Sequence, residues 1–164
     1  MVKIIDTINT ERLTLRGIDR SDAEAIVKWR SDPGVFKYFR SVHKITLDEH
    51  LAWFDNSYSN NPDRFDWMCI DRSTDEKVGV FGLVRESGYA EVNYILALEA
   101  QHKGYATEAI SAIIDYAHAN WRIKKIIAEI HAENKPSIAL AKRLGFSFEE
   151  KRSDFEIYSM ELAD

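Results

Sequence analysis

Apolar positions in this chain follow two rhythms, and the switch between them marks the most informative stretch. Val92-Asn-Tyr-Ile-Leu-Ala-Leu98 is an extended, largely apolar run. Behind it Ala106, Ala109, Ile110, Ile113, Ile114 and Ala117 recur at i, i+3, i+4, i+7, i+8 and i+11, the period of a helix laid on a sheet. Gly104 stands at the junction. A turn that opens a helix after a strand points several unpaired backbone N–H groups at one place, and the helix dipole adds partial positive charge there. That is a candidate anion site, suited to phosphate or pyrophosphate. Gly104 and the small Ala106 let a ligand approach the backbone. A plain turn at Gly104 fits the same pattern. Neither G-x-x-x-x-G-K-[ST] nor G-x-G-x-x-G spacing occurs.

The rest of the chain reads as alternating elements. Arg12 to Arg16 alternates as a strand. Ser21-x-x-Glu24 reads as a capping box that opens a helix through about Arg30, ended by Asp32-Pro-Gly34. Thr46-x-x-Glu49 is a second capping box, with a helix through about Asn56. Asn60-Asn-Pro62 is a loop. Phe65 to Asp71 and Val78 to Arg85 are strands around a turn at Ser73 to Glu76, and Ser87-Gly88 turns into a strand from Glu91 to Leu96. Lys124 to His131 alternates as a half-buried strand. Asn134 then precedes a helix with Pro136 in its first turn and Gly145 as its stop. Phe146 to Glu149 and about Asp154 to Leu162 are the closing strands. Mixed strand order with helices on both faces is an α/β or α+β domain.

The motifs at the two later helices resemble those of the GCN5-related N-acetyltransferases (GNAT). The pattern [QR]-x-x-G-x-[GA] is met by Gln101, Gly104 and Ala106. The pattern N-x-x-[AS]-x-x-L-x-x-[KR]-x-G-F is met by Asn134, Ser137, Leu140, Arg143, Gly145 and Phe146. The opening Thr10-Glu-Arg-Leu-Thr-Leu-Arg16, with Gly104-Tyr-Ala-Thr-Glu-Ala109, is similar to the branch acting on ribosomal-protein N-termini, polyamines and amino sugars. The resemblance covers the whole chain, 1–164. It implies one domain with a mixed central sheet, a splayed parallel strand pair and acetyl-CoA as cosubstrate. It implies that Ile95, Leu96 and Leu98 meet the pantetheine arm with their backbone and that the backbone of Gln101, His102, Lys103, Gly104, Tyr105, Ala106 and Thr107 holds the pyrophosphate. Asn134 would reach the pantetheine. A homodimer is compatible with it.

Acetyl transfer from a thioester to an amine needs alignment, a polarised carbonyl, a base for the amine and an acid for the thiolate. Ser137 is the candidate acid, with a simple helix-start role as the alternative. Many relatives use a tyrosine four residues further on, and Ala141 stands there. Glu91, opening the strand toward the acetyl site, is the candidate base, with a surface glutamate as the alternative. Glu108, in a first helical turn, suits the dipole or a hydrogen bond. The acceptor pocket is expected between the first helices, where Trp29, Phe36, Tyr38, His43, His50 and Trp53 crowd. Part of this segment looks like acetyltransferases of nucleotide-linked amino sugars, which would assign Tyr38, His50 and Trp53 to substrate; a core role fits the same spacing. The acceptor is thus a protein N-terminus, an amino sugar nucleotide or a polyamine. A catalytically silent acyl-CoA-binding or regulatory module is the rival.

Composition narrows the partners. The chain has 164 residues and a formal net charge of −5, unlike the basic patch of a nucleic-acid binder. His102, Lys103, Lys135, Lys142 and Arg143 still gather near the two motifs and suit coenzyme phosphates. With 45% hydrophobic residues there is material for a core, while no apolar run approaches the roughly 20 residues of a bilayer span. The N-terminus lacks the pattern of a secretory signal, and one cysteine excludes an internal disulfide, so a cytoplasmic protein without membrane partners is expected. Cys69 lies in the run Trp67-Met-Cys-Ile70 and reads as core rather than nucleophile. The five histidines lack metal-ligand spacing, and no metal is expected.

Overall fold

The computed structural model describes residues 3–39 and 44–163. One mixed sheet of eight strands organises it, in the order β1-β2-β3-β4-β5-β6-β8-β7. The strands are β1 (Ile8–Asn9), β2 (Leu13–Gly17), β3 (Arg64–Asp71), β4 (Glu76–Arg85), β5 (Tyr89–Leu96), β6 (Lys125–His131), β7 (Ser147–Arg152) and β8 (Phe155–Glu161). All neighbours are antiparallel except β5 and β6. The helices are α1 (Ala23–Arg30), α2 (Pro33–Phe36), α3 (Leu47–Trp53), α4 (Tyr105–Trp121) and α5 (Lys135–Leu144). Among the described residues no helix is long and apolar enough to cross a membrane.

The pleat divides the side chains between two layers. The register aligns Trp67 with Phe81 and Phe81 with Tyr94, and Phe81 stacks on Tyr94 with ring centroids 5.5 Å apart. Trp67 meets Tyr116 of α4 edge-on at 5.6 Å, and Phe65 meets Trp121 at 4.7 Å. This face carries α4, whose Ala109, Ile113 and Ala117 are fully buried, with Leu13, Leu15 and Cys69 in the same core. Burial pushes the Cys69 thiol up to about 12, which suits core packing and not nucleophilic chemistry. The opposite face of the sheet carries α1 and α3.

Local sequence signals account for most boundaries. The Thr46 hydroxyl accepts from the Glu49 amide at 3.1 Å, and the Glu49 carboxylate accepts from the Thr46 amide at 3.4 Å. That is the expected capping box. Helix α3 stops at Trp53, short of Asn56, and widens into a π turn over Phe54–Tyr58. The first box differs from the sequence reading. Asp19, not Ser21, is the cap, with Asp22 as its partner. Asp22 is fully buried and bound to Arg16 at 2.8 Å and Lys77 at 2.7 Å, tertiary partners that a local motif does not reveal. Asp32-Pro-Gly34 does more than end a helix: the Asp32 carboxylate accepts from the Gly34 amide at 2.9 Å and starts α2.

Candidate active site

The parallel pair opens into a V. Strands β5 and β6 pair only between Tyr89–Glu91 and Lys125–Ile127. Beyond Glu91, β5 stays bonded to β4 as far as Leu96, while β6 stays bonded to β8 as far as His131. The edge of β5 that faces the gap from Val92 to Leu96 therefore has no strand beside it. Ile95 and Leu96 lie on this edge. Leu98 lies past it, in a 3-10 turn over Leu98–Ala100. Its methyl group comes within 3.0 Å of where a Cβ on Gly34 would sit. Tyr38 packs on His131 at the end of β6, rings 5.3 Å apart. The segment after α1 thus touches both arms of the V.

At one end of the V, helix α4 starts on Gly104. This residue is left-handed, φ 79°, and no side chain caps the helix. The first amides of α4 are held in place from behind. The Arg12 guanidinium donates to the Lys103 carbonyl and to the Glu108 carboxylate, both at 2.8 Å. Glu108 also accepts from the Arg12 amide at 2.9 Å and from the Thr10 hydroxyl. It is the anchor of the turn, a hydrogen-bonding role consistent with its place in the first helical turn. The buried Tyr105 hydroxyl donates to Asp71 on β3, and this bond with the Ser73 contacts draws the Asp71 carboxyl down to about 2. Gln101, His102, Lys103, Gly104 and Thr107 stay at least partly accessible, whereas Tyr105 and Ala106 are buried. The start of this 17-residue helix, without a side-chain cap, has the character of an anion site.

Helix α5 brings Ser137 and Asn134 to the gap from the other arm. Asn134 caps the helix, its Oδ1 accepting from the Ser137 amide at 3.3 Å. The buried Ser137 hydroxyl lies 3.0 Å from the Tyr94 hydroxyl on β5, so this pair bridges the two sides of the V. Burial raises the Tyr94 phenol above its usual range, and the bond to Ser137 and the nearby Arg143 charge only partly offset this. Ala141 is buried. Tyr94 was hidden in the sequence inside an apolar strand run, and no sequence signal linked its hydroxyl to the motif serine 43 residues on.

On the α1–α3 face a cleft of about 280 Å³ opens toward β5. Arg30, His50, Trp53, Arg64, Asp66 and Asn93 border it. The register puts Asp66, Gly82 and Asn93 in one row across β3, β4 and β5. A Cβ at Gly82 would fall 2.0 Å from Asp66 Oδ1, so only glycine leaves room for that carboxylate. Asp66 is 2% exposed. Its carboxyl is pushed up by burial, against the pull of Arg64, whose Nε lies 2.9 Å away. His50 and Trp53 reach this cleft, rings 5.5 Å apart; Tyr38 does not line it, and His43 lies outside the described residues. Glu91 sits at the paired end of β5, opposite Val84 and Ile127, about 7 Å along the strand from Asn93, and does not border the cleft. Arg30, Asp66 and Asn93 were not singled out by sequence. An acid inside the apolar strand Phe65 to Ile70 was the visible trace of Asp66.

The family profile described as an acetyltransferase (GNAT) domain matches residues 12–147. The chain belongs to the GNAT acetyltransferases. It is 33% identical over 159 residues to the uncharacterised N-acetyltransferase p20 of Bacillus licheniformis, covering 93% of this chain and 88% of p20. Among solved structures, a GNAT-family acetyltransferase from Bacillus anthracis superposes with a TM-score of 0.83 at 21% identity, covering 95% of this chain and 98% of that one. The spermidine N-acetyltransferase of Vibrio cholerae, solved with CoA and spermine, also gives 0.83, at 22% identity over 93% of this chain and 96% of its own. At such identities these two likenesses concern the GNAT fold. The turn at Gly104 and the Asn134–Ser137 helix start, either side of the split of β5 from β6, are where this GNAT domain keeps its two motifs.

Proposed function

We propose that this GNAT domain transfers an acetyl group from acetyl-CoA to a primary amine by direct attack of the amine nitrogen. The observation that carries this reading is the open edge of β5 from Val92 to Leu96, which carries the Tyr94–Ser137 hydroxyl pair and leads in the chain to the uncapped start of α4 at Gly104. Acetyl-CoA supplies an activated thioester, so the chain needs no nucleophile of its own. The register turns the Ile95 backbone toward β4 and leaves the Leu96 backbone facing the gap, so Leu96 holds the pantetheine arm, Ile95 lines the site with its side chain, and a β5 N–H polarises the carbonyl. Asn134 keeps its Nδ2 amide for the same arm while its Oδ1 caps α5. Lys103 adds positive charge near the diphosphate, and His102 stands beside it in the same turn. The new C–N bond forms as the C–S bond breaks. One proton leaves the amine, and one goes to the departing sulfur.

Ser137, backed by Tyr94, delivers the second proton. Tyr94 stays protonated at neutral pH because its phenol is raised, and the leaving thiol, with an ordinary pKa of about 8.5, needs only modest help. For the first proton, Asp66 is better placed than Glu91: it borders the acceptor cleft, and burial raises its carboxyl toward the range of a working base. His50 and Trp53 shape the acceptor side.

The test is CoA-thiol release with a panel of amines that includes amino sugars, polyamines and peptide N-termini. Tyr94→Phe and Ser137→Ala are expected to lower turnover roughly tenfold to hundredfold with little change in coenzyme affinity. Full activity in both variants removes the pair from the mechanism. Ala141 in place of the family tyrosine favours one rival, a silent acyl-CoA-binding module. Coenzyme binding without turnover of any amine would establish that rival instead.

A further inference from the structure

The acceptor cleft contains one half-buried cation, Arg30, that neither of the carboxylates bordering the cleft neutralises. Arg30 Nε is buried and has no hydrogen-bond partner, and His50 Nε2 is in the same condition. His50 is 5% exposed, and both residues border the cleft. Two carboxylates also border it, and each is engaged elsewhere. Asp66 is bonded to Arg64 at 2.9 Å, and Glu49 closes the capping box on the Thr46 amide at 3.4 Å. Among the described residues Arg30 forms no ion pair; the Phe39 ring, 5.7 Å from its guanidinium carbon, is its charge-related contact. Arg64 is a second cation on the same wall, stacked over Trp53 at 5.0 Å.

A half-buried guanidinium whose Nε is buried and unpartnered favours an anion, and a planar fork of donors matches carboxylate or phosphate oxygens. The surroundings act in the same sense. Burial and the Arg64 charge both press on Arg30 to lose its proton, and burial with the Arg30 charge keeps the His50 imidazole neutral. A neutral imidazole can donate one hydrogen bond to an anion without a second charge. A polyamine would bring further ammonium groups to this wall and meet repulsion there.

We infer that the acceptor is a small amine that also carries an anionic group, a carboxylate or a phosphate, seated on Arg30 and the Nε2 side of His50. This rests on the acetyltransferase reading and narrows it. Asp66 and Asn93 lie toward β5, where the amine must reach the thioester, so the anion binds at the α1–α3 end and the amine points to the gap. The ligand then supplies the counter-charge that the fold omits.

Calorimetric binding in the presence of CoA tests this with matched pairs: ornithine against putrescine, tryptophan against tryptamine, glucosamine 6-phosphate against glucosamine, with spermidine alongside. The expected result is that at least one anionic member binds about tenfold or more tightly than its partner. The carboxylate and phosphate arms tell which anion is preferred. Arg30→Met should erase that difference and Arg30→Lys should keep part of it, with coenzyme affinity reporting that each variant is folded. Equal or tighter binding of the uncharged-tail or polyamine members by the wild-type protein overturns the inference, as does discrimination that survives in folded Arg30→Met. The wild-type comparison decides even where a variant does not fold. Thiol release in the same mixtures reads the acetyltransferase reading separately: preference for anionic amines without any thiol release sinks the reaction and leaves the recognition standing.

Discussion

At Gly104 the backbone conformation that opens α4 and the proposed coenzyme site meet in a single residue. Its φ of 79° lies where L side chains are strained, and the atom nearest an added Cβ would be Arg12 Nη2 at 3.2 Å, the movable end of a long side chain. Steric conflict inside the protein is therefore minor; conformational strain and obstruction of the amides dominate. Gly104→Val should cost roughly 1–3 kcal/mol of stability and raise the coenzyme dissociation constant on the order of tenfold or more. Denaturant unfolding and calorimetry measure the two effects, and unchanged affinity would refute the anion site. Ser137 shows the opposite dependence. Its motif position was readable in the sequence, but its hydroxyl partner lies 43 residues earlier in the chain. No spacing rule joins Tyr94 to it, because the sheet alone brings β5 beneath α5.

At the level of elements, capping and periodicity decide most of what forms. Helix α4 follows the apolar stripe expected of it, and α5 begins on Asn134 and ends on Gly145 as its sequence indicates. Removing the α5 cap with Asn134→Ala should cost about 1 kcal/mol. It should also loosen the Ser137 backbone that positions the hydroxyl, so turnover should fall along with the unfolding midpoint. A variant with normal stability and normal turnover would mean the cap does not hold this helix start. Strand β1, two residues long, escaped the periodicity because so short a stretch carries no pattern. The first capping box was misread for a different reason. Ser21 satisfies the local rule, yet Asp22 becomes the buried partner through Arg16 and Lys77, which belong to other elements. The Ser21 hydroxyl donates instead to the Asp19 carboxylate.

For the whole molecule, the buried cleft links stability to pH. The His50 imidazole is held below its ordinary 6.5 by burial and by the Arg30 charge. The unfolded chain therefore takes up that proton before the folded one does. The contribution is complete above about 6.5 and is lost as pH falls from there toward the folded pKa. His50→Asn should flatten the stability profile over that window relative to wild type, as read from unfolding midpoints at a series of pH values; a parallel profile would show that His50 titrates normally. The chain's own sequence determined the periodicities, the caps, the glycine before α4 and the two motifs of the GNAT family, because each depends on neighbours within a few turns of backbone. It did not determine which side chains line the cleft between the sheet and α1–α3. Glu91, favoured for opening β5, lies where that strand still pairs with β6, and Asp66 and Arg30 border the α1–α3 cleft from strand β3 and helix α1. Tertiary structure decided those matters, since sheet register and helix placement bring together charges that lie far apart along the chain, and burial then sets their protonation and their need for partners.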